Sequence, residues 1–130
     1  MQYSIRCIDC GFETSYHHLA VTCPKCNSQW REAIYDLESV AKAFASELPR
    51  RPFDLWRYRE ALPIRKPNPD LRMGEGGTPL IRAVNMGMML GCPHIYIKDE
   101  RQGPTASFKD RQAALTIAAL KEAGITEMVA

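Results

Sequence analysis

A chain of 130 residues has room for one ordinary domain, or for a small module and part of a larger one. With 45% hydrophobic and 25% charged residues it has the composition of a water-soluble globular protein, and a net charge of +2 is too small to argue for nucleic acid or an anionic membrane as a partner. The N-terminus has no apolar run of signal-peptide length, and no stretch approaches the roughly 18 apolar residues of a membrane span. The five cysteines are an odd number, so a disulfide framework is not expected and the chain reads as cytoplasmic.

Residues 1–36 form the first unit. Cys7-Ile8-Asp9-Cys10 and Cys23-Pro24-Lys25-Cys26 are two Cys-x2-Cys knuckles with twelve residues between them. Each knuckle turns tightly enough to aim two thiolates at one ion, and two knuckles close a tetrahedral shell, the arrangement of structural zinc. Gly11 suits the tight turn that follows its knuckle. A unit this small buries too little apolar surface to fold unaided, so metal binding is expected to supply the missing stability. Two disulfides, or iron in a rubredoxin-like site, are the alternatives. His17 and His18 could be ligands but read as spectators, and Phe12–Thr14 with Tyr16–Thr22 reads as a short hairpin. No basic stripe or aromatic run supports nucleic-acid binding.

Residues 37–79 read as a helix and a proline-rich connector. Leu37, Val40, Phe44 and Leu48 recur at helical spacing, and Pro49 and Pro52 end the helix. Trp56 and Tyr58 lie among Arg57, Arg59 and Glu60 as an aromatic packing element, before the extended run through Pro63, Pro67 and Pro69. Gly74-Glu75-Gly76-Gly77-Thr78-Pro79 is a loop. No Gly-Lys-Ser/Thr follows it, which excludes a P-loop and leaves a turn leading into a strand at Leu80–Arg82.

Residues 80–130 alternate strand, helix and strand. A short helix is expected from Val84 to Leu90, closed by Gly91, with Met86, Met88 and Met89 as core filling and Cys92 as a buried small residue. Ile95–Ile97 is β-rich, and Lys98-Asp99-Glu100-Arg101 closes it at a sheet edge of the kind where sites are built. Phe108–Ala123 is the clearest helix, ended by Gly124, and Met128–Ala130 begins another strand. This is the grammar of a mostly parallel α/β sheet that has barely begun, so the chain is expected to be the N-terminal part of a longer protein.

One stretch stands apart: Gly103-Pro104-Thr105-Ala106-Ser107-Phe108-Lys109-Asp110-Arg111. Ser107 is placed as a helix N-cap with Asp110 three residues on, a weaker relative of the capping box. Lys109 and Arg111 then fall in the first turn, where the helix dipole repels cations. A lysine held there is pushed towards its neutral form, the form that attacks a carbonyl to make a Schiff base. Two solvated cations on an exposed first turn are the plainer alternative.

Pro-Thr-Ala-Ser-Phe-Lys-Asp-Arg resembles the lysine motif of threonine synthases, members of the fold-type II (tryptophan synthase β-like) enzymes that use pyridoxal 5'-phosphate (PLP). Leu55-Trp56-Arg57-Tyr58-Arg59, the Gly74–Leu80 loop and Lys98-Asp99-Glu100 follow the order and rough spacing of that family, and the cysteine knuckles resemble the zinc-binding extension of some members. The resemblance implies an α/β fold in which a zinc-ribbon-like module (residues 1–36) and a connector (37–79) precede the start of a PLP-binding domain (80–130). It makes Lys109 the catalytic, PLP-carrying residue, Cys7, Cys10, Cys23 and Cys26 the zinc ligands, and Arg111 a substrate-phosphate contact or a residue that orients the loop. The implied reaction converts O-phosphohomoserine to threonine and phosphate. The complete protein could pair as a homodimer, and the isolated chain is expected to be inactive. Gly103 stands where most members have Asn, and Ala106 and Gln112 where Gly is common, which puts substrate identity in question. An ammonia-lyase or β-replacement enzyme, or a non-catalytic zinc-ribbon scaffold, are the other readings.

Overall fold

The computed structural model describes residues 3–16 and 20–129. His17, His18 and Leu19, within the hairpin arm expected after Tyr16, lie outside the described residues, and residues 20–22 of that arm are irregular.

The first unit is a three-stranded antiparallel sheet of β1 (Tyr3–Cys7), β2 (Glu13–Ser15) and β3 (Arg31–Tyr35), with β1 in the centre. Ser4 faces Ser15 on one side, and Tyr3 faces Tyr35 on the other. Residues 13–15 do form a strand, but it pairs back onto β1, and β3, which the sequence reading missed, completes the sheet. Arg6 and Glu32 pair across β1 and β3 at 2.7 Å. At the far end from the cysteines, the Tyr3 ring lies 5.2 Å from that of Tyr16 and 5.1 Å from that of Tyr35.

Helix α1 (Leu37–Glu47) forms as its spacing predicts. Asp36 caps it, Oδ1 accepting from the Ser39 N–H at 3.1 Å. Val40 is buried, Phe44 packs edge-on against Tyr58 with ring centroids 5.9 Å apart, and Leu37 is exposed. The largest buried cluster lies under the connector. Leu55, Trp56, Leu62 and Ile64 pack against Ala118 of helix α3 (Asp110–Glu122), with Leu71, Ala114, Leu115 and Ala119 around them. A tight helical turn over Leu55–Ala61, capped by Asp54, sets Trp56 facing inward. Arg51 grips Glu60 through two hydrogen bonds of 2.6 and 2.7 Å, almost out of solvent, which fixes the entry to that turn.

The glycine loop is built for contact with this turn. A Cβ on Gly76 would lie 2.5 Å from the Leu55 nitrogen, and one on Gly77 would overlap the Phe53 carbonyl oxygen. Glu75 is buried between them. It accepts from Trp56 Nε1 and, at 2.7 Å, from the Met73 N–H.

The last region departs from the expected parallel sheet. Strands β4 (Leu80–Arg82) and β5 (Tyr96–Lys98) pair antiparallel, Ile81 opposite Ile97. Helix α2 (Val84–Met89) is only six residues long, and the Ala83 N–H donates to the Ile95 carbonyl at 3.0 Å, so the connection doubles back as a wide hairpin. Met86, Met88 and Met89 are exposed instead of filling a core, and Cys92 is exposed too. Residues 125–129 are irregular where a strand was expected to begin. Among the described residues, no helix is long and apolar enough to cross a membrane.

Candidate cofactor and metal sites

The cysteine cluster is assembled by two equivalent turns. The Gly11 N–H donates to the Cys7 carbonyl at 3.0 Å, and the Asn27 N–H donates to the Cys23 carbonyl at 2.8 Å. Gly11 and Asn27 hold the same left-handed conformation, φ +68° and +61°. Glycine and asparagine are the residues that tolerate it best. The turns bring all four Sγ atoms within 4.8 Å of one another. Cys7 and Cys26 approach to 3.5 Å, Cys10 and Cys23 to 3.7 Å. Zinc–sulfur bonds of about 2.3 Å in a tetrahedron give sulfur–sulfur edges of about 3.8 Å, so these spacings fit one ion. The sulfurs are not bonded to one another, the paired Sγ atoms standing 3.5 and 3.7 Å apart. Burial pushes the Cys23 thiol up, but the N–H groups of Cys26 and Lys25 outweigh it and carry it down to about 7. Cys26, although the Ser28 N–H lowers it, is pushed up to about 12 by its hydrogen bonds with the other three sulfurs and by burial. Four crowded thiols cannot all ionise unaided; a bound divalent cation would take up that charge.

Around Lys109 the local structure differs from the expected capping box. The helix begins at Asp110, two residues later than predicted, and Ser107 is not its N-cap. The Ser107 hydroxyl accepts from the Lys109 N–H at 3.2 Å, and its carbonyl accepts from the Asp110 N–H at 3.2 Å. Asp110 therefore opens the helix instead of facing its N–H groups from the third position. Its carboxylate turns back to Thr105, accepting from the backbone N–H at 3.0 Å and from the hydroxyl. Those Thr105 bonds, side chain first, hold the Asp110 carboxyl below its ordinary value. Gly103 lies directly beneath: a Cβ there would stand 2.7 Å from Asp110 Oδ2. Ala106 takes φ +57°, a left-handed conformation that suits glycine better.

Arg111 points the other way. Its Nη2 donates to Glu100 Oε1 at 2.9 Å and to Thr78 Oγ1 at 3.1 Å, and its Nε to Glu100 Oε2 at 3.2 Å. The Thr78 hydroxyl in turn donates to Glu100 at 2.7 Å, and Lys98 Nζ donates to the Thr78 carbonyl. Asp99 pairs with Arg101 at 2.8 Å. The guanidinium fork is thus engaged within the chain, the geometry of a residue that orients the loop. Lys109 itself is exposed, and among the described residues its ammonium has no ion-pair partner although charged groups crowd the stretch. An unpaired amine at a helix start is the group a PLP aldehyde requires.

Three contributors were missed in the sequence. Thr78 was read as part of a turn, and Thr105 as part of a motif. Glu75 gave one signal: a tryptophan buried upstream needs an acceptor for its N–H.

Residues 71–130 match the family described as pyridoxal-phosphate dependent enzyme. The chain is 36% identical over 121 residues to the threonine synthase of Methanocaldococcus jannaschii, covering 92% of this chain and 29% of that protein. It is 34% identical over 124 residues to that of Methanosarcina acetivorans, covering 95% of this chain and 29% of the relative. Over 70 residues it is 43% identical to that of Halalkalibacterium halodurans, 54% of this chain and 20% of the relative. The resemblance to the PLP-dependent, threonine synthase-like family thus extends along nearly the whole chain, while the chain spans about 29% of the length of the two archaeal relatives. No solved structure matches it.

Proposed function

We propose that the chain is the N-terminal portion of a PLP-dependent lyase of the threonine synthase kind, with Lys109 as the residue that carries the cofactor. The observation behind this is the exposed Lys109 amine, left among the described residues without an ion-pair partner while Asp110 and Arg111, the first residues of the helix, are committed elsewhere. The relatives' name, threonine synthase, supports threonine as the product, and the resemblance of the lysine motif implies O-phosphohomoserine as the substrate, with phosphate released. PLP, when bound, supplies an electron sink for a carbanion. The chain's own contribution is positional. Asp110 and Thr105 shape the turn below the amine, Arg111 ties that turn to Glu100 and Thr78, and the Lys109 amine is the group that accepts and returns a proton. Arg111 could reach a substrate phosphate only by leaving Glu100. Cys7, Cys10, Cys23 and Cys26 hold a structural zinc ion. The setting is cytoplasmic, and the complete enzyme can pair as a homodimer.

Mixing the chain with PLP should produce a visible absorption band that Lys109→Ala abolishes without altering the circular dichroism. A band unchanged in Lys109→Ala would overturn the assignment. The 130-residue chain alone should release no phosphate from O-phosphohomoserine, since it spans under a third of the relatives.

A further inference from the structure

The residue next to Lys109 is a carboxylate, which left free would pair with the lysine ammonium and hold its proton. In this structure Asp110 is turned away, bound by both donors of Thr105 and packed onto Gly103, where a Cβ would stand 2.7 Å from Oδ2. We infer that Thr105 and Asp110 form a clasp whose role is to keep the neighbouring carboxylate off the Lys109 amine, making both positioning residues for that amine. This rests on Lys109 being the reactive lysine, but the clasp acts on the amine whether or not a cofactor is present.

The surrounding charges are accounted for. Glu100 is taken by Arg111 and Thr78, Asp99 by Arg101, and Lys98 by the Thr78 carbonyl. Asp110 is therefore the nearest carboxylate in sequence, and Thr105 decides where it points. A strained residue supports the same view. Ala106 sits in the left-handed region between the two clasp partners, a conformation that persists only where surrounding contacts over-determine it.

The clasp predicts that loosening Asp110 raises the profile while removing its charge does not, a difference that a merely structural role does not give. The measurement is the initial rate of reductive methylation of Lys109 by formaldehyde and cyanoborohydride against pH, mapped by mass spectrometry, with exposed Lys121 as internal reference. No PLP is used, so the outcome is independent of the cofactor assignment, which the absorption band tests separately. Thr105→Val removes the hydroxyl donor and loosens Asp110. The pH of half-maximal rate at Lys109 should rise by about half a unit, as an exposed lysine–carboxylate pair gives. Asp110→Asn removes the charge and should not raise it, the double variant should follow Asp110→Asn, and Thr105→Ser should keep the parent profile. Melting curves confirm that each variant is folded at the assay temperature. Should Thr105→Val fail to fold, Thr105→Ala removes the same hydroxyl. A Thr105→Val profile that does not rise, or an Asp110→Asn profile that rises with it, would overturn the inference.

Discussion

The cysteine unit and the Lys109 region are held together on different physical grounds. The described residues of 3–35 bury little besides Tyr3, Cys7 and Cys23, whereas Leu55, Trp56, Leu62, Ile64 and Ala118 join the connector to the Lys109 helix in an apolar core. The first unit depends on four sulfurs meeting at one point. The second depends on packing and on polar ties between distant segments, Trp56 to Glu75 and Arg111 to Glu100 and Thr78. A ligand set carried on two tight turns is a local property; a lysine's surroundings are not.

The widest separation should come from the metal. One zinc per chain is expected, and Cys23→Ser or a strong chelator should unfold residues 3–35 outright, because apparent binding energies at such sites reach roughly 10–16 kcal/mol. Hydrogen exchange should show α3 largely unchanged. Finding iron, or no metal with both cysteine pairs oxidised, would break the comparison on its first side.

Trp56→Ala should act in reverse. Trp56 is 1% exposed, and its truncation should cost about 3–5 kcal/mol in urea unfolding of the connector and α3, with zinc content unchanged. Loss of zinc in this variant would mean that the two units fold as one.

How much of this was legible follows the same division. The cysteine site could be read because Cys-x2-Cys spacing fixes its own turn, and α1 because Val40 and Phe44 recur at helical spacing. Strand β3 was missed because its pairing with β1 spans more than twenty residues. The antiparallel pairing of β4 and β5 was missed because strand–helix–strand order does not reveal a helix too short to cross over. Ser107 was misplaced as a cap because a serine hydroxyl serves a two-residue turn as well as a helix start. Met86, Met88 and Met89 were placed in a core on composition alone, and nothing in their spacing could show that they stay exposed.

Acid should weaken the packed region at its paired carboxylates, Glu60 among them. The Arg51 guanidinium, bound to both Glu60 oxygens, holds that carboxyl down to about 2 from its ordinary 4.5. Because the folded value is the lower one, the contribution is whole above the ordinary value and is lost as pH falls towards about 2. The urea midpoint of the parent should fall across that window, and Glu60→Gln should lower the neutral-pH midpoint and flatten the fall.

The smallest effect should be a gain. Ala106→Gly relieves a left-handed alanine and should stabilise the chain by about 1 kcal/mol in the same unfolding assay. A loss would mean that Ala106 makes contacts outweighing its strain.

The most direct measurement is chemical. The chain is treated with less than one equivalent of PLP, reduced with borohydride, and digested for peptide mapping. The account predicts label on Lys109 ahead of the other lysines, and its loss from that peptide in Lys109→Ala. Label on Lys98 instead, or spread evenly over the exposed lysines, would contradict it.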